Sequence, residues 1–214
     1  MKKNLLSYGI AALALAIAAP ASATLVFQDQ FNRANNNTVG NGWVEISHDV
    51  NEVAISGNAL KLSGQAPGNN GTVSAPDAAV TQTTINTLGF NTISLQFSWA
   101  ALAASEATDT FNVAWKKSSD ATFTNLGSFG LGSDTGLFTT TTFNLSALAN
   151  NTSIDLRFWA SVNEDNEGAM VDWVTVNGSA IEAPVLINNV PEPGSLALLG
   201  LGLFGLGVVR RRKS

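Results

Sequence analysis

This 214-residue chain has no cysteine and a single histidine, His48. It therefore has no disulfide framework and no thiolate nucleophile. Sites that zinc or a catalytic triad build from several cysteines or histidines are excluded as well. Charge is scarce too. Eleven lysines and arginines face sixteen aspartates and glutamates, so that 13% of residues are charged and the formal net charge is −5. An acidic chain does not neutralise a phosphate backbone, which removes nucleic acid from the partners to consider. The chain also lacks a Gly-x-Ser-x-Gly elbow, a His-Glu-x-x-His pair and a Walker loop. It shows no internal repeat of about 20–50 residues, the length expected of solenoids. Apolar material is plentiful: 45% hydrophobic residues exclude a disordered chain.

Both ends carry addresses. Residues 1–23 open with Met1, Lys2 and Lys3, run through an apolar stretch at 8–19 and close on Pro20-Ala21-Ser22-Ala23. A cationic start, an apolar run too short to remain a span and small residues at Ala21 and Ala23 make a secretory signal peptide, cut by signal peptidase between Ala23 and Thr24. At the other end Val190-Pro191-Glu192-Pro193 precedes an apolar segment at about 195–209 and the basic end Arg210, Arg211, Arg212 and Lys213. The prolines block helix continuation and hold Glu192 extended. The apolar segment makes a short transmembrane helix, and the four cations hold its end on the cytoplasmic side. This tripartite arrangement resembles the PEP-CTERM sorting signal of Gram-negative bacteria. The resemblance implies that an exosortase recognises Val190, Pro191, Glu192 and Pro193, that the precursor is anchored transiently in the inner membrane, and that the product reaches the cell surface or the extracellular matrix. A plain membrane anchor is the alternative for the same residues.

The two ends hold six of the eleven cations and one of the sixteen acids, so residues 24–189 carry −10. Within them a domain at 24–180 and a linker at 181–189 are expected. The domain alternates apolar and polar positions at Ile93, Leu95, Phe97 and Trp99, at Phe111, Val113 and Trp115, at Ile154, Leu156 and Phe158, and at Val174 and Val176. Period two marks half-buried strands. Clusters of Gly, Asn, Asp and Ser at 35–41, 64–70, 118–120 and 130–136 supply the turns. Residues 100–107 read as a loop or one helical turn, and Thr139 to Thr142 as a β-branched strand rather than an ice-binding row. About ten short strands of this kind make an all-β, antiparallel, jelly-roll-like sandwich. Three segments resemble concanavalin A-like and carbohydrate-binding-type jelly rolls. They are Phe27 to Trp43 followed by Ile55 to Leu62, then Trp115 to Phe123, and finally Phe143 to Leu148 with Leu156 to Phe158 and Val171 to Val176. That architecture serves lectins, hydrolases, adhesins and matrix proteins, so extracellular polysaccharide is the partner the resemblance implies. It also implies that the first and last strands lie side by side.

Candidate chemistry is confined to a few residues. Asp172 shares strand parity with Val174 and Val176, which places a carboxylate on the apolar face, where it must be paired or coordinated. Adjacent first and last strands bring Asp29 near it, and a structural calcium ion would neutralise both. A salt bridge to Arg33 or Arg157, or a strand-end hydrogen bond, is the alternative. The loop from Asn163 to Gly168 gathers Glu164, Asp165 and Glu167 without the alternation of an EF-hand and reads as a solvated connection. Glycoside hydrolysis needs two carboxylates about 5–9 Å apart. The Glu-x-Asp-x-x-Glu signature of retaining enzymes with this fold is absent, so no catalytic residue is assigned and a non-enzymatic role is expected. Of the five tryptophans, Trp99 and Trp115 read as core. Trp159 with Asn163 is the candidate platform for stacking on a sugar ring. A structural adhesin without glycan binding and a polysaccharide hydrolase are the alternatives.

Overall fold

The computed structural model describes residues 23–47, 51–64, 78–132 and 136–182, which form eleven strands in two antiparallel sheets. The signal peptide up to Ser22 and the sorting tail with its transmembrane segment lie outside the described residues, and so does His48. Among the described residues no helix is long and apolar enough to cross a membrane. The strands are β1 (Ala23–Asp29), β2 (Trp43–Ile46), β3 (Val53–Ser56), β4 (Ala59–Ser63), β5 (Ala78–Asn86), β6 (Phe90–Ala101), β7 (Thr110–Lys117), β8 (Thr124–Gly130), β9 (Thr139–Asn144), β10 (Ser153–Ser161) and β11 (Gly168–Ala180). One sheet runs β3-β4-β11-β6-β9, with β1 also paired to β11; the other runs β2-β5-β10-β7-β8. The expected all-β sandwich is the observed one, and the compact unit holding it ends at Ile181.

The inner faces follow the period-two runs. Ile93, Leu95, Phe97 and Trp99 of β6 face Ile154, Leu156 and Phe158 of β10, with Phe111, Val113 and Trp115 of β7 in the same buried cluster. Phe97 is the hub. Its ring lies 5.3 Å from Phe158 and 6.1 Å from each of Phe111 and Phe143, centroid to centroid. Aromatic rings bury 150–250 Å² apiece, so a cluster of this size carries much of the domain's cohesion. The threonines of β9 lie on a sheet edge, where Trp99 donates its indole N–H to Thr141 Oγ1 at 3.1 Å.

Three segments gain detail. Within residues 143–148, β9 stops at Asn144, and a single 3-10 turn at Ala147–Ala149 follows, capped by the Ser146 side chain. The stretch 100–107 extends β6 as far as Ala101 before it turns. The run from Ile55 to Leu62 is not one strand but a tight hairpin. Gly57 and Asn58 both take positive φ, +60° and +63°. That pair of angles is a type I′ turn, whose twist matches the flanking strands.

β11 is the organising strand. Along one edge it pairs with β6, and along the other it is shared: β4 holds Gly168 to Val171, and β1 holds Val174 to Ser179. The expected neighbourhood of first and last strands is therefore present, with Asp29 opposite Val174 and Thr24 opposite Gly178. Between the two partners, Asp172 and Trp173 have none on that edge, and the register with β6 shifts there through a β-bulge.

Candidate functional site

The five-stranded sheet presents rows of side chains to its outer face. On its central strand β10, Ile154, Leu156 and Phe158 turn into the core, so Asp155, Arg157 and Trp159 turn outward. Trp159 is half-buried and sits opposite Ala79 of β5 and Asn112 of β7. Beyond Ala79 comes Ile46 of β2, and beyond Asn112 comes Ser128 of β8. One row of side chains thus crosses all five strands, apolar at one end and polar at the other, with an indole in the middle. Asn112 donates its amide to Thr110 Oγ1 at 3.1 Å, which fixes it beside Trp159. The exposed Val44 and Ile46 extend the apolar end.

The next row is cationic and aromatic. Arg157 donates Nε to Thr81 Oγ1 at 3.1 Å and holds its guanidinium 4.0 Å from the Phe123 ring centroid. Lys116 lies 5.2 Å from the same ring and 3.4 Å from Asp155. Asp155 is saturated: it also accepts from Thr84 N at 2.9 Å and from Ser118 Oγ at 2.6 Å. Burial lowers the pKa of Arg157 while the charge of Asp155 opposes it; the guanidinium stays charged throughout.

The sequence-derived candidates separate in space. Asn163 lies past the end of β10, in the connection to β11. Its backbone N donates to Glu167 Oε2 at 3.2 Å, and its amide, turned so that nitrogen faces the carboxylates, reaches Glu167 Oε2 and Asp109 Oδ1 at 2.8 and 3.3 Å. Of this loop Glu167 alone among the acids is buried. Burial raises the pKa of Glu167, with the charges of Asp109 and Glu106 adding to the effect and the backbone N–H groups of Asn163 and Glu164 opposing it. Glu164 and Asp165, by contrast, are exposed.

Asp29 and Asp172 also differ from expectation. The β-bulge breaks the parity on which Asp172 was placed inside, since two residues instead of one separate the inward Val171 and Val174. Asp172 is half-buried on the outer side of the six-stranded sheet. Asp29 is 4% exposed and uses both oxygens on protein donors. Arg33 Nη1 and Nη2 stand at 2.8 and 3.1 Å, Asn41 Nδ2 at 3.0 Å, Trp43 Nε1 at 2.9 Å and Phe31 N at 2.8 Å. Its partner is Arg33, the alternative weighed for it in sequence. Among the described residues no group of three or more acidic or histidine side chains is placed to hold a metal. Ala23 and Thr24 are exposed at the start of β1.

A family profile matches residues 189–213, which contain Val190, Pro191, Glu192 and Pro193. The chain carries a PEP-CTERM protein-sorting motif. The PEP-CTERM motif implies an exported protein processed by an exosortase. No curated protein matches the chain. Among solved structures, a non-specific endo-β-1,3(4)-glucanase of family GH16 aligns with a TM-score of 0.51 at 11% identity, over 76% of this chain and 94% of that one. A CBM4 structure aligns with a TM-score of 0.47 at 14% identity, over 70% and 97%. The xylan-binding module CBM15 gives 0.44 at 13%, over 76% and 99%. The jelly-roll sandwich ahead of the PEP-CTERM motif is thus a fold shared with a polysaccharide-cleaving enzyme.

Proposed function

We propose that this is a protein exported by a Gram-negative bacterium, released from the inner membrane by an exosortase after signal peptidase has cut before Thr24, and displayed at the cell surface or in the extracellular polysaccharide matrix, where its sandwich binds glycan without cleaving it. The observation that carries this reading is Trp159, half-buried on the outer side of the central strand, between the methyl of Ala79 and the hydrogen-bonding amide of Asn112. An indole plane offers a pyranose its apolar face, while Asn112, Thr110 and Ser128 offer its hydroxyls donors and acceptors. Hydrolysis would need a second carboxylate. Among the described residues of the five strands, the only one turned to that face is Asp155, and it is occupied by Lys116, Ser118 and the Thr84 N–H.

Two measurements test the proposal. Intact mass of the protein recovered from the surface and medium of its host is expected to show a species beginning at Thr24 and lacking the residues after the Pro-Glu-Pro region. Retention of residues 196–214 would make the tail a lasting anchor and overturn the sorting account. The full chain is expected to bind its host's polysaccharide, with Trp159→Ala weakening binding about tenfold or more, as loss of a central aromatic anchor does. Binding unchanged by that substitution would remove the sheet face as the site. No binding at all would leave a structural adhesin.

A further inference from the structure

Where β1 and β4 divide the edge of β11 between them, a notch of about 310 Å³ opens, lined by Gln30, Asn32, Asn58, Asp172 and Trp173. Each wall is held rigidly by a different device. Gln30 and Asn32 flank Phe31, whose ring is fully buried and whose backbone N–H is tied to the Asp29 carboxylate. Asn58 sits in the type I′ turn, fixed by two positive φ angles. Asp172 and Trp173 occupy the β-bulge, between Val171 and Val174 that point inward. The notch was invisible in sequence because its residues come from three segments that only the two pairings of β11 bring together.

The hydrogen-bonding state of these five side chains leaves them available to a ligand. Several comparable groups in the domain are used internally: Asp29 takes five hydrogen bonds, Asp155 takes two and an ion pair, and Asn35 and Asn36 accept from Gly57 N and Thr38 N. That is why the second, similar hollow lined by Asn35, Asn36 and Lys61 is best read as turn structure. In the notch, none of the five side chains has a hydrogen bond or ion pair to another described residue. Three amides, one carboxylate and one indole therefore present their full capacity to whatever enters.

That chemistry selects its ligand. An anion is opposed by Asp172. An apolar ligand would leave several polar groups desolvated and unpaired, at roughly 1–3 kcal/mol apiece. A neutral polyhydroxylated ring meets all the groups: vicinal hydroxyls donate to Asp172, exchange hydrogen bonds with the amides, which both donate and accept, and lay an apolar ring face on Trp173. The volume lies at the small end of ligand sites, which span roughly 300–1,000 Å³, and suits one or two sugar units. We propose that this notch is a second saccharide site, taking the end or a side branch of a polysaccharide. It lies on the six-stranded sheet, on the other side of the sandwich from Trp159, so that one chain holds two glycan segments and cross-links them. The inference rests on the reading of the domain as glycan-binding, but not on the Trp159 face.

The test uses the full chain labelled with 5-fluorotryptophan, whose five fluorine resonances are assigned by single Trp→Phe substitutions. Buried Trp43, Trp99 and Trp115 report whether each variant is folded; Trp159 and Trp173 report the two sites. Disaccharides of glucose, galactose, mannose and xylose are titrated in turn. The Trp173 resonance is expected to shift saturably with at least one of them. Asp172→Ala and Asn58→Ala should each weaken that response about tenfold or more while the three buried resonances hold still, and Trp159→Phe should leave it unchanged. A Trp173 resonance that stays put while Trp159 responds overturns the notch and keeps the sheet face; the converse keeps the notch and overturns the sheet face. Five stationary resonances overturn both. A Trp173 response untouched by either notch substitution overturns the notch as well.

Discussion

Gly168→Ala is expected to destabilise the domain by about 4 kcal/mol or more. Gly168 opens β11 at a φ of +143°, a conformation that side chains scarcely enter, and an alanine Cβ there would stand 1.9 Å from the carbonyl oxygen of Leu62 and 2.8 Å from Ser63 Cα. Both obstacles are backbone of β4, so no rotamer change relieves them. Relief by moving the strand would break the Gly168–Ser63 register and the Ser105 hydroxyl bonds to Gly168 N and O at 3.0 and 3.1 Å. For a domain of this size each kcal/mol corresponds to roughly 2–4 °C, so thermal unfolding should drop by about 10 °C or more. Gly40→Ala is the control: its φ is +69° but nothing lies within 4 Å of the added methyl, and it should cost about 1 kcal/mol. Equal melting temperatures for the two variants would refute the steric account.

Asp29→Asn is expected to be nearly as damaging, at about 3 kcal/mol near neutral pH. Removing one partner of a buried ion pair costs about 3–5 kcal/mol, and the lower figure applies because the Arg33 side chain keeps 31% of its exposure. The substitution keeps the shape of the side chain but turns an amide donor towards Arg33, Asn41 and Trp43, which are donors themselves. The pH dependence has a definite sign. Burial works to raise the Asp29 pKa, but the bonds from Arg33, Asn41, Phe31 and Trp43 outweigh it and hold the carboxyl below its ordinary 3.8. A carboxyl with a depressed folded pKa contributes stability above its unfolded pKa and loses it as pH falls through the folded value. The gap between the denaturation curves of the parent and Asp29→Asn should therefore be full above the ordinary carboxyl range and narrow progressively as pH falls below 3.8. A constant gap across that range would show that shape, not charge, accounts for the role of Asp29. Because Asp29 also fixes the corner that carries Gln30 and Asn32, the same variant should lose the Trp173 response before it loses its fold.

The strands were legible wherever the ladder is regular. In β6 and β10 the period-two runs point inward as read, and Trp99 and Trp115 are buried as their parity requires. Legibility stopped at the irregularities. One extra residue between Val171 and Val174 reversed the placement of Asp172, and alternation alone gives no sign of a bulge. For Trp159, sequence proximity pointed to Asn163; the residue directly opposite it, Asn112, lies across a strand pairing 47 positions away in the chain. One clue was available. Gly57-Asn58, set between alternating apolar residues, is a hairpin signal, and it would have split the run from Ile55 to Leu62 in two.

The shared edge of β11 also determines how the domain carries force. Because Ala23 pairs with Ser179, the chain enters and leaves the sandwich at the same pole; Trp173 lies six residues up the strand from Ser179, about 20 Å away at 3.3 Å per residue. Load applied between Ile181 and the notch runs lengthwise down β11. Its hydrogen bonds to β1 and β6 lie across that pull, so they are strained together rather than one after another, as they would be in a strand peeled from its end. A domain loaded in this way is held in shear, along the strand with partners on both sides.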